Sequence, residues 1–230
     1  MYNTLNNTKM KVLVFDTETT GLPENQYASL FDSAKWPHII QLGYILFDTE
    51  RKEVIEYINH IVKLAPEVII SPKSIEIHKI TAERSQDEGL PIQEVLAAFR
   101  KCLQEANLIV AHNLLFDKRM LMVEMNRNKM ENFLVRDGRA IPEFCTMKNT
   151  TTLCALPKLN TKTGETYFKF PTLSELHLCL FKTEPKGVHN AIVDVIICLR
   201  CYVQLKQQYD VALDEEVKAE FRTLFSQYCI

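Results

Sequence analysis

The stretch Val12-Leu13-Val14-Phe15-Asp16-Thr17-Glu18-Thr19-Thr20-Gly21 decides how this chain folds. Val12 to Phe15 are four consecutive apolar β-formers. Such a run reads as a strand buried on both faces, because it leaves no side for water. Side chains two apart on a strand share a face. Asp16 and Glu18 are therefore expected side by side where this core strand ends. Like charges held that close raise each other's pKa unless a cation lies between them. Carboxylate oxygens suit hard divalent ions such as Mg2+ or Mn2+. The stretch thus points to a metal site, with a solvated acidic turn as the alternative.

Working outward, the strand Lys11–Phe15 is followed by strand-like Ile39–Phe47 and Ile55–Lys63, joined by a tight turn at Asp48-Thr49. Two strands so joined pair antiparallel. The segment between the first two, Leu22 to Pro37, carries two prolines and the single tryptophan, Trp36, and reads as a long surface loop. Trp36 has two readings, packing beside the second strand or stacking on a nucleobase. Ser74–Lys79 reads as a short helix, and Thr81 as the N-cap of a turn with Glu83 and Arg84. Pro91 opens a clearer helix to Ala106, with Val95, Leu96, Phe99 and Leu103 on one face. Leu108–Ala111 is a short buried strand that runs through His112-Asn113 into a helix over Leu115–Asn128. This alternation signals α/β architecture. Residues 128–139 read as loop, Glu143–Lys148 as a strand, and the Lys-, Thr- and Asn-rich 157–169 as a flexible excursion. A helix restarts at Pro171, with Thr172 as cap and Glu175 placed for a capping box. Helices over Asn190–Tyr209 and Asp214–Tyr228 close the chain.

At 230 residues and 47% hydrophobic content, the chain suits one domain over residues 10–230, preceded by a frayed polar leader at 1–9. No run approaches the roughly 18–20 apolar residues of a membrane span. The N-terminus has no apolar signal core. Seven scattered cysteines read as reduced thiols of an intracellular, cytoplasmic or nuclear protein. Cys198 and Cys201 share a C-x-x-C spacing, but they sit inside a predicted helix with no second pair, so neither zinc nor redox chemistry is expected. Cys145 and Cys154 are read as reduced too. A net charge of −2 does not advertise nucleic-acid binding. Lys118, Arg119, Lys158, Lys162, Lys169 and Lys186 could still form a local basic stripe.

Two further acids matter. Asp117 opens a predicted helix, where the helix dipole alone favours a carboxylate. Asp194 lies among Ala191, Ile192, Val193, Val195, Ile196 and Ile197, and an ionised carboxylate there is costly unless a cation meets it. His189 is five residues earlier, about 500° away on a continuous helix. From a loop before the helix it could reach the same centre, with a pKa suited to a general base. Asp16, Glu18, Asp117 and Asp194 are therefore candidate ligands for two divalent ions, with His189 as base, in phosphodiester hydrolysis.

These residues resemble a known family. Phe15-Asp16-Thr17-Glu18-Thr19-Thr20-Gly21-Leu22 is similar to the first motif of the DEDDh (DnaQ-like) 3′→5′ exonucleases, the group of proofreading subunits, TREX-type enzymes and oligoribonuclease. Val110-Ala111-His112-Asn113 through Phe116-Asp117 resembles the second motif. His189-Asn190-Ala191 through Asp194 resembles the third. Ile77-His78-Lys79-Ile80-Thr81 is similar to an element between the first two. The likeness spans about residues 10–205. It implies a ribonuclease-H-like fold, an α/β architecture with a central five-stranded mixed sheet flanked by helices. It also implies release of nucleoside 5′-monophosphates from 3′ ends with two Mg2+ or Mn2+ ions. On that pattern Asp16, Glu18, Asp117 and Asp194 bind metal and His189 polarises water. Thr19 and Leu22 touch the terminal nucleotide, Asn113 and Phe116 hold the strand, and His78 either lines the site or is a buried structural histidine.

The leading reading is a DNA proofreading or repair exonuclease acting on single-stranded or frayed ends. An exoribonuclease of the same fold is the alternative, and a catalytically silent nucleic-acid- or polymerase-binding module a more distant one. A haloacid-dehalogenase-type phosphatase fits worse, because Glu18 stands where a second Asp is needed and no late acid pair follows. A DNA polymerase partner and a homodimer are both compatible with the resemblance. A membrane partner is not expected.

Overall fold

The computed structural model describes residues 10–25 and 27–229. The leader expected at 1–9 lies outside the described residues. Strands β1 (Lys11–Thr19), β2 (Ile39–Asp48) and β3 (Glu53–Ile61) form an antiparallel meander. Three helices follow, α1 (Pro72–His78), α2 (Ala82–Glu88) and α3 (Ile92–Glu105). Strand β4 (Leu108–Ala111) then pairs parallel to β1 and leads into helix α4 (Leu114–Arg127). A small ribbon, β5 (Val135–Arg136) with β6 (Arg139–Ala140), precedes β7 (Glu143–Cys145), which pairs parallel to β4. The mixed five-stranded sheet has the order β3-β2-β1-β4-β7.

After it come short helices α5 (Thr146–Asn149) and α6 (Thr151–Cys154), then a hairpin of β8 (Pro157–Leu159) and β9 (Thr166–Phe168). Helices α7 (Leu173–Phe181), α8 (Ala191–Gln207) and α9 (Ala219–Cys229) complete the chain. Thr172 and Glu175 form the expected capping box on α7. Thr81 caps α2 by accepting the Arg84 N–H.

Alternation along the strands divides the interior in two. Leu13, Phe15, Leu42, Tyr44 and Leu46 face α3 and α4, where Phe99 receives Phe15 and Tyr44 edge-on at 5.2 and 5.3 Å. Val12, Val14, Ile45 and Phe47 face α8 and α9. The central strands are buried on both faces, so they read as unbroken apolar runs.

Four expectations need correction. Strand β1 does not end at Phe15; it runs to Thr19 because β2 keeps pairing with it, Asp16 opposite Gly43 and Glu18 opposite Gln41. The strand expected over Glu143–Lys148 stops at Cys145, where buried Thr146 turns the chain into α5. The excursion at 157–169 holds an antiparallel hairpin. The last helix starts at Ala219, not Asp214, since Lys52 pairs with Asp214 and Glu216 and draws that segment against the β2–β3 turn.

Trp36 is only 4% exposed and packs into the core, with its indole N–H donating to the Ser29 carbonyl at 3.1 Å, so it is not a stacking platform. Cys145, Cys154, Cys198 and Cys201 are all free thiols. No helix of the described residues is long and apolar enough to cross a membrane.

Candidate active site

Asp16 and Glu18 lie on the β1 face shared with Val12 and Val14, the face covered by α8. The close approach of α8 depends on Gly43, which pairs with Asp16. A Cβ at Gly43 would stand 2.7 Å from the Ala191 carbonyl carbon and 2.8 Å from the Ile192 nitrogen. A glycine inside a strand commonly marks such a backbone approach. Asp194, one turn into α8, is thereby carried to the acids of β1. A carboxylate oxygen from each of Asp16, Glu18 and Asp194 lies within 4.8 Å of the others.

His189 does sit in the loop before α8, and Asn190 is the N-cap. The His189 backbone has φ 72°, in the left-handed region, and its N–H donates to Asp194 Oδ2 at 3.1 Å. Its side chain is exposed rather than packed into the core.

Asp117 reaches the centre from the other side of the sheet. Helix α4 packs on the Leu13/Phe15 face, and Asp117 on it is 2% exposed. It accepts hydrogen bonds from the Thr17 N–H at 3.1 Å and the Thr17 hydroxyl at 2.8 Å. Thr17 points to that face because it lies between Asp16 and Glu18 in the alternation. Asp117 is therefore outside the three-carboxylate cluster, yet its charge is felt there.

Burial raises the Asp16 carboxyl well above the ordinary range, and the charges of Asp117, Asp194 and Glu18 raise it further. Glu18 is pushed up to about 8, by burial first and then by Asp194 and Asp117. Asp117 is pushed up to about 7 by burial, against the opposing Thr17 hydrogen bonds. Asp194 is likewise pushed up to about 7 by burial, against the opposing bond from the His189 N–H. Among the described residues the arginines and lysines that pair with acids pair elsewhere, as Lys118 does with Glu143 and Arg200 with Asp210. The ligand oxygens of one octahedral Mg2+ stand about 3–4 Å apart. Oxygens within 4.8 Å of one another are near that spread, and an ion shared by the trio would relieve the mutual repulsion. The donor set fits a hard divalent cation.

The other predicted site residues fall around this centre unevenly. Thr19 is buried, and its hydroxyl donates to the Gly21 carbonyl at 2.7 Å. Leu22 is 84% exposed and lines an open cleft of about 670 Å³ with Gly21, Trp36, His38, Glu67 and Arg127. Asn113 is exposed, in left-handed backbone geometry at the start of α4, and its side chain caps nothing. Phe116 is half-buried against the α4 core. His78 is buried at the end of α1; its Nδ1 accepts the Ile80 N–H at 3.0 Å and burial lowers its pKa.

Sequence reading passed over three residues that build the site: Thr17, Gly43 and Gln41. A lone glycine and a lone amide in an apolar strand were the available signals. His112 also has both ring nitrogens engaged, by the Thr146 hydroxyl at 2.9 Å and the Pro171 carbonyl at 3.0 Å. Burial pushes it down to about 4, so it is a neutral brace between motif and helix.

Residues 13–202 match the family model of RNase_T, described as exonuclease. The chain belongs to this exonuclease family. No curated protein sequence matches it. Among solved structures, the family domain is similar to E. coli exonuclease I in complex with a dA16 oligonucleotide, with a TM-score of 0.62 and 18% identity over 87% of this chain and 42% of that one. It is similar to the same enzyme with a dT13 oligonucleotide, with a TM-score of 0.64 and 18% identity over 87% and 42% of the two chains. The chain spans less than half the length of exonuclease I. At this identity the likeness concerns the fold, and the fold it matches is the five-stranded ribonuclease-H-like sheet described above.

Proposed function

We propose that this chain is a metal-dependent 3′→5′ exonuclease that hydrolyses the terminal phosphodiester bond of a nucleic acid and releases nucleoside 5′-monophosphates. The reading is carried by one observation: Asp16, Glu18 and Asp194 converge within 4.8 Å, with no counter-charge paired to them among the described residues, in an exonuclease-family fold. Asp16, Glu18, Asp117 and Asp194 would hold two divalent ions, Mg2+ or Mn2+. Bound there, such ions supply a lowered water pKa and charge stabilisation at the leaving oxygen.

This chain's own groups do the rest. His189, exposed on the loop tied to Asp194, takes the proton of the attacking water. Leu22 meets the terminal base from the open cleft, and Thr19 shapes the loop that presents Leu22. Asn113 and Phe116 border the strand's path, and His78 braces the α1 end from within the core. Residues 10–230 act as one exonuclease domain. Single-stranded DNA is the favoured substrate, since the matched exonuclease I structures hold DNA oligonucleotides. RNA is the second reading, because discrimination rests on 2′-hydroxyl contacts.

The test is a degradation panel of single-stranded DNA, duplex DNA with a mismatched 3′ end, and short RNA, each with Mg2+ or with chelator. We expect Mg2+-dependent appearance of 5′-mononucleotides from the 3′ end, fastest on single-stranded DNA. Degradation from the 5′ end, or none on any substrate, overturns the reading.

A further inference from the structure

We propose that Gln41 is a positioning residue: its side-chain amide pins the first turn of α8 opposite Glu18 and so holds Asp194 and His189 in register with Asp16 and Glu18. The role rests on the metal-site reading above and deepens it.

Gln41 is the one amide in the run Ile39-Ile40-Gln41-Leu42, and like its neighbours it has no solvent exposure. A buried amide is costly unless its hydrogen bonds are made. Both ends of this one are used. Oε1 accepts the Ala191 N–H at 3.1 Å, and Nε2 donates to Asn59 Oδ1 on β3 at 2.9 Å. The backbone N–H of Ala191 can only donate, so the amide orientation is dictated by its partner.

Ala191 is the first residue of α8, whose leading N–H groups have no partner within the helix. Asn190 Oδ1 takes the Ile192 N–H at 3.3 Å, and Gln41 takes that of Ala191. Gly43 sets how near α8 comes to the sheet, since the Ala191–Ile192 backbone rests where its Cβ would be. A bare contact lets a helix slide along a strand. A directional bond two residues away stops the slide. Gln41 and Gly43 stand opposite Glu18 and Asp16 in the β1–β2 register, so the seat on β2 mirrors the acids on β1. The helix seated there bears Asp194, and the Asp194 carboxylate in turn holds the His189 N–H. One buried amide therefore sets the spacing between acids from two ends of the chain. A bound ion fixes its metal–ligand distances to within about 0.2 Å, so a helix that slides along the strand weakens the site.

The experiment is calorimetric titration of the full chain with Mn2+, beside kcat and KM on a single-stranded oligonucleotide and melting in chelator. Gln41→Met keeps length and removes the acceptor. We expect Mn2+ affinity about tenfold weaker or worse and kcat lower by about tenfold to a hundredfold, with KM within about twofold. Phe221→Leu on α9, far along the chain from the acids, controls for stability, and at an equal loss of melting temperature it should bind Mn2+ as the wild type does. If Gln41→Met does not fold, Gln41→Asn withdraws the acceptor by one methylene and carries the same expectation. Wild-type affinity in the Met or Asn variant overturns the positioning role alone, as does an equal loss in Phe221→Leu. Absence of Mn2+ binding in the wild type overturns the metal reading itself.

Discussion

Two regions of this protein draw carboxylates away from bulk water, Glu124 fully and the acid cluster in part, and they do it in opposite ways. Glu124 on α4 is 1% exposed and fully answered. The Arg127 guanidinium donates to it, the Ile39 N–H does so at 3.2 Å, and the Asn128 amide at 3.3 Å. Arg127 reaches further, donating to the carbonyls of Ser33 at 2.9 Å, Trp36 at 3.1 Å and Pro37 at 3.3 Å. That cluster clamps the loop between β1 and β2 onto α4. At the other region, Asp16, Glu18 and Asp194 crowd together, with the His189 backbone N–H donating to Asp194 but no guanidinium or ammonium paired with them among the described residues. A buried charge with its counter-charge holds structure in place. Half-buried like charges without one mark a place that a ligand completes. The pKa shifts agree: burial raises Glu124, but Arg127 and three hydrogen bonds pull it back, whereas at the acid cluster neighbouring charges add to burial.

The contrast can be broken most sharply at Asp194. Asp194→Asn should cut mononucleotide release by about a thousandfold or more while the chain stays folded. In chelator at pH 8 its melting temperature should be no lower than wild type, because a repelling charge has gone. A variant as active as wild type breaks the assignment.

Arg127→Met tests the other side. It leaves Glu124 buried without its partner and should cost about 3–5 kcal/mol of stability by denaturant titration. Mn2+ affinity should be unchanged at temperatures where the variant is folded. A weakened Mn2+ site with little loss of stability would mean that the two regions are not separable.

The smallest effect is on pH dependence. Asp194 and the neighbouring Asp117 have folded-state pKa values raised to about 7 and Glu18 to about 8, above the roughly 4 of unfolded carboxyls, and Asp16 is raised as well. Protons bind the folded form more tightly, so this contribution is fully present below about pH 4 and is lost as pH rises through about 7 to 8. Metal-free protein should therefore melt lower at about pH 8.5 than at about pH 6, and saturating Mg2+ should flatten the difference. Mn2+ binding should release protons across the same interval. A melting curve equally pH-dependent with and without metal would place the titration elsewhere.

Much of the fold was legible in periodicity. The apolar runs of β1, β2 and β4, the face of α3 and the caps at Thr81 and Thr172 all read correctly from local pattern. The position of His189, conditional in the sequence, is decided by the structure, which puts it in the loop before α8. What misled were places where a distant group overrides local preference. Buried Thr146 ends β7 early, and Lys52 holds back the start of α9. The hairpin at 157–168 has no apolar alternation strong enough to announce it. Trp36, open to two readings in sequence, is decided by the core around it.

Periodicity and short-range spacing sufficed for the existence of a buried strand ending in acids, for the two later acids at helix starts, and for the α/β class, because those depend on neighbours a few residues away. The meeting of the acids did not follow from any such pattern. It depends on Gly43 admitting α8, on Gln41 holding it, and on Thr17 gripping Asp117 from the opposite face of the sheet. Those contacts join residues some 100 to 150 positions apart in the chain, and only the packed sheet brings them within hydrogen-bonding reach.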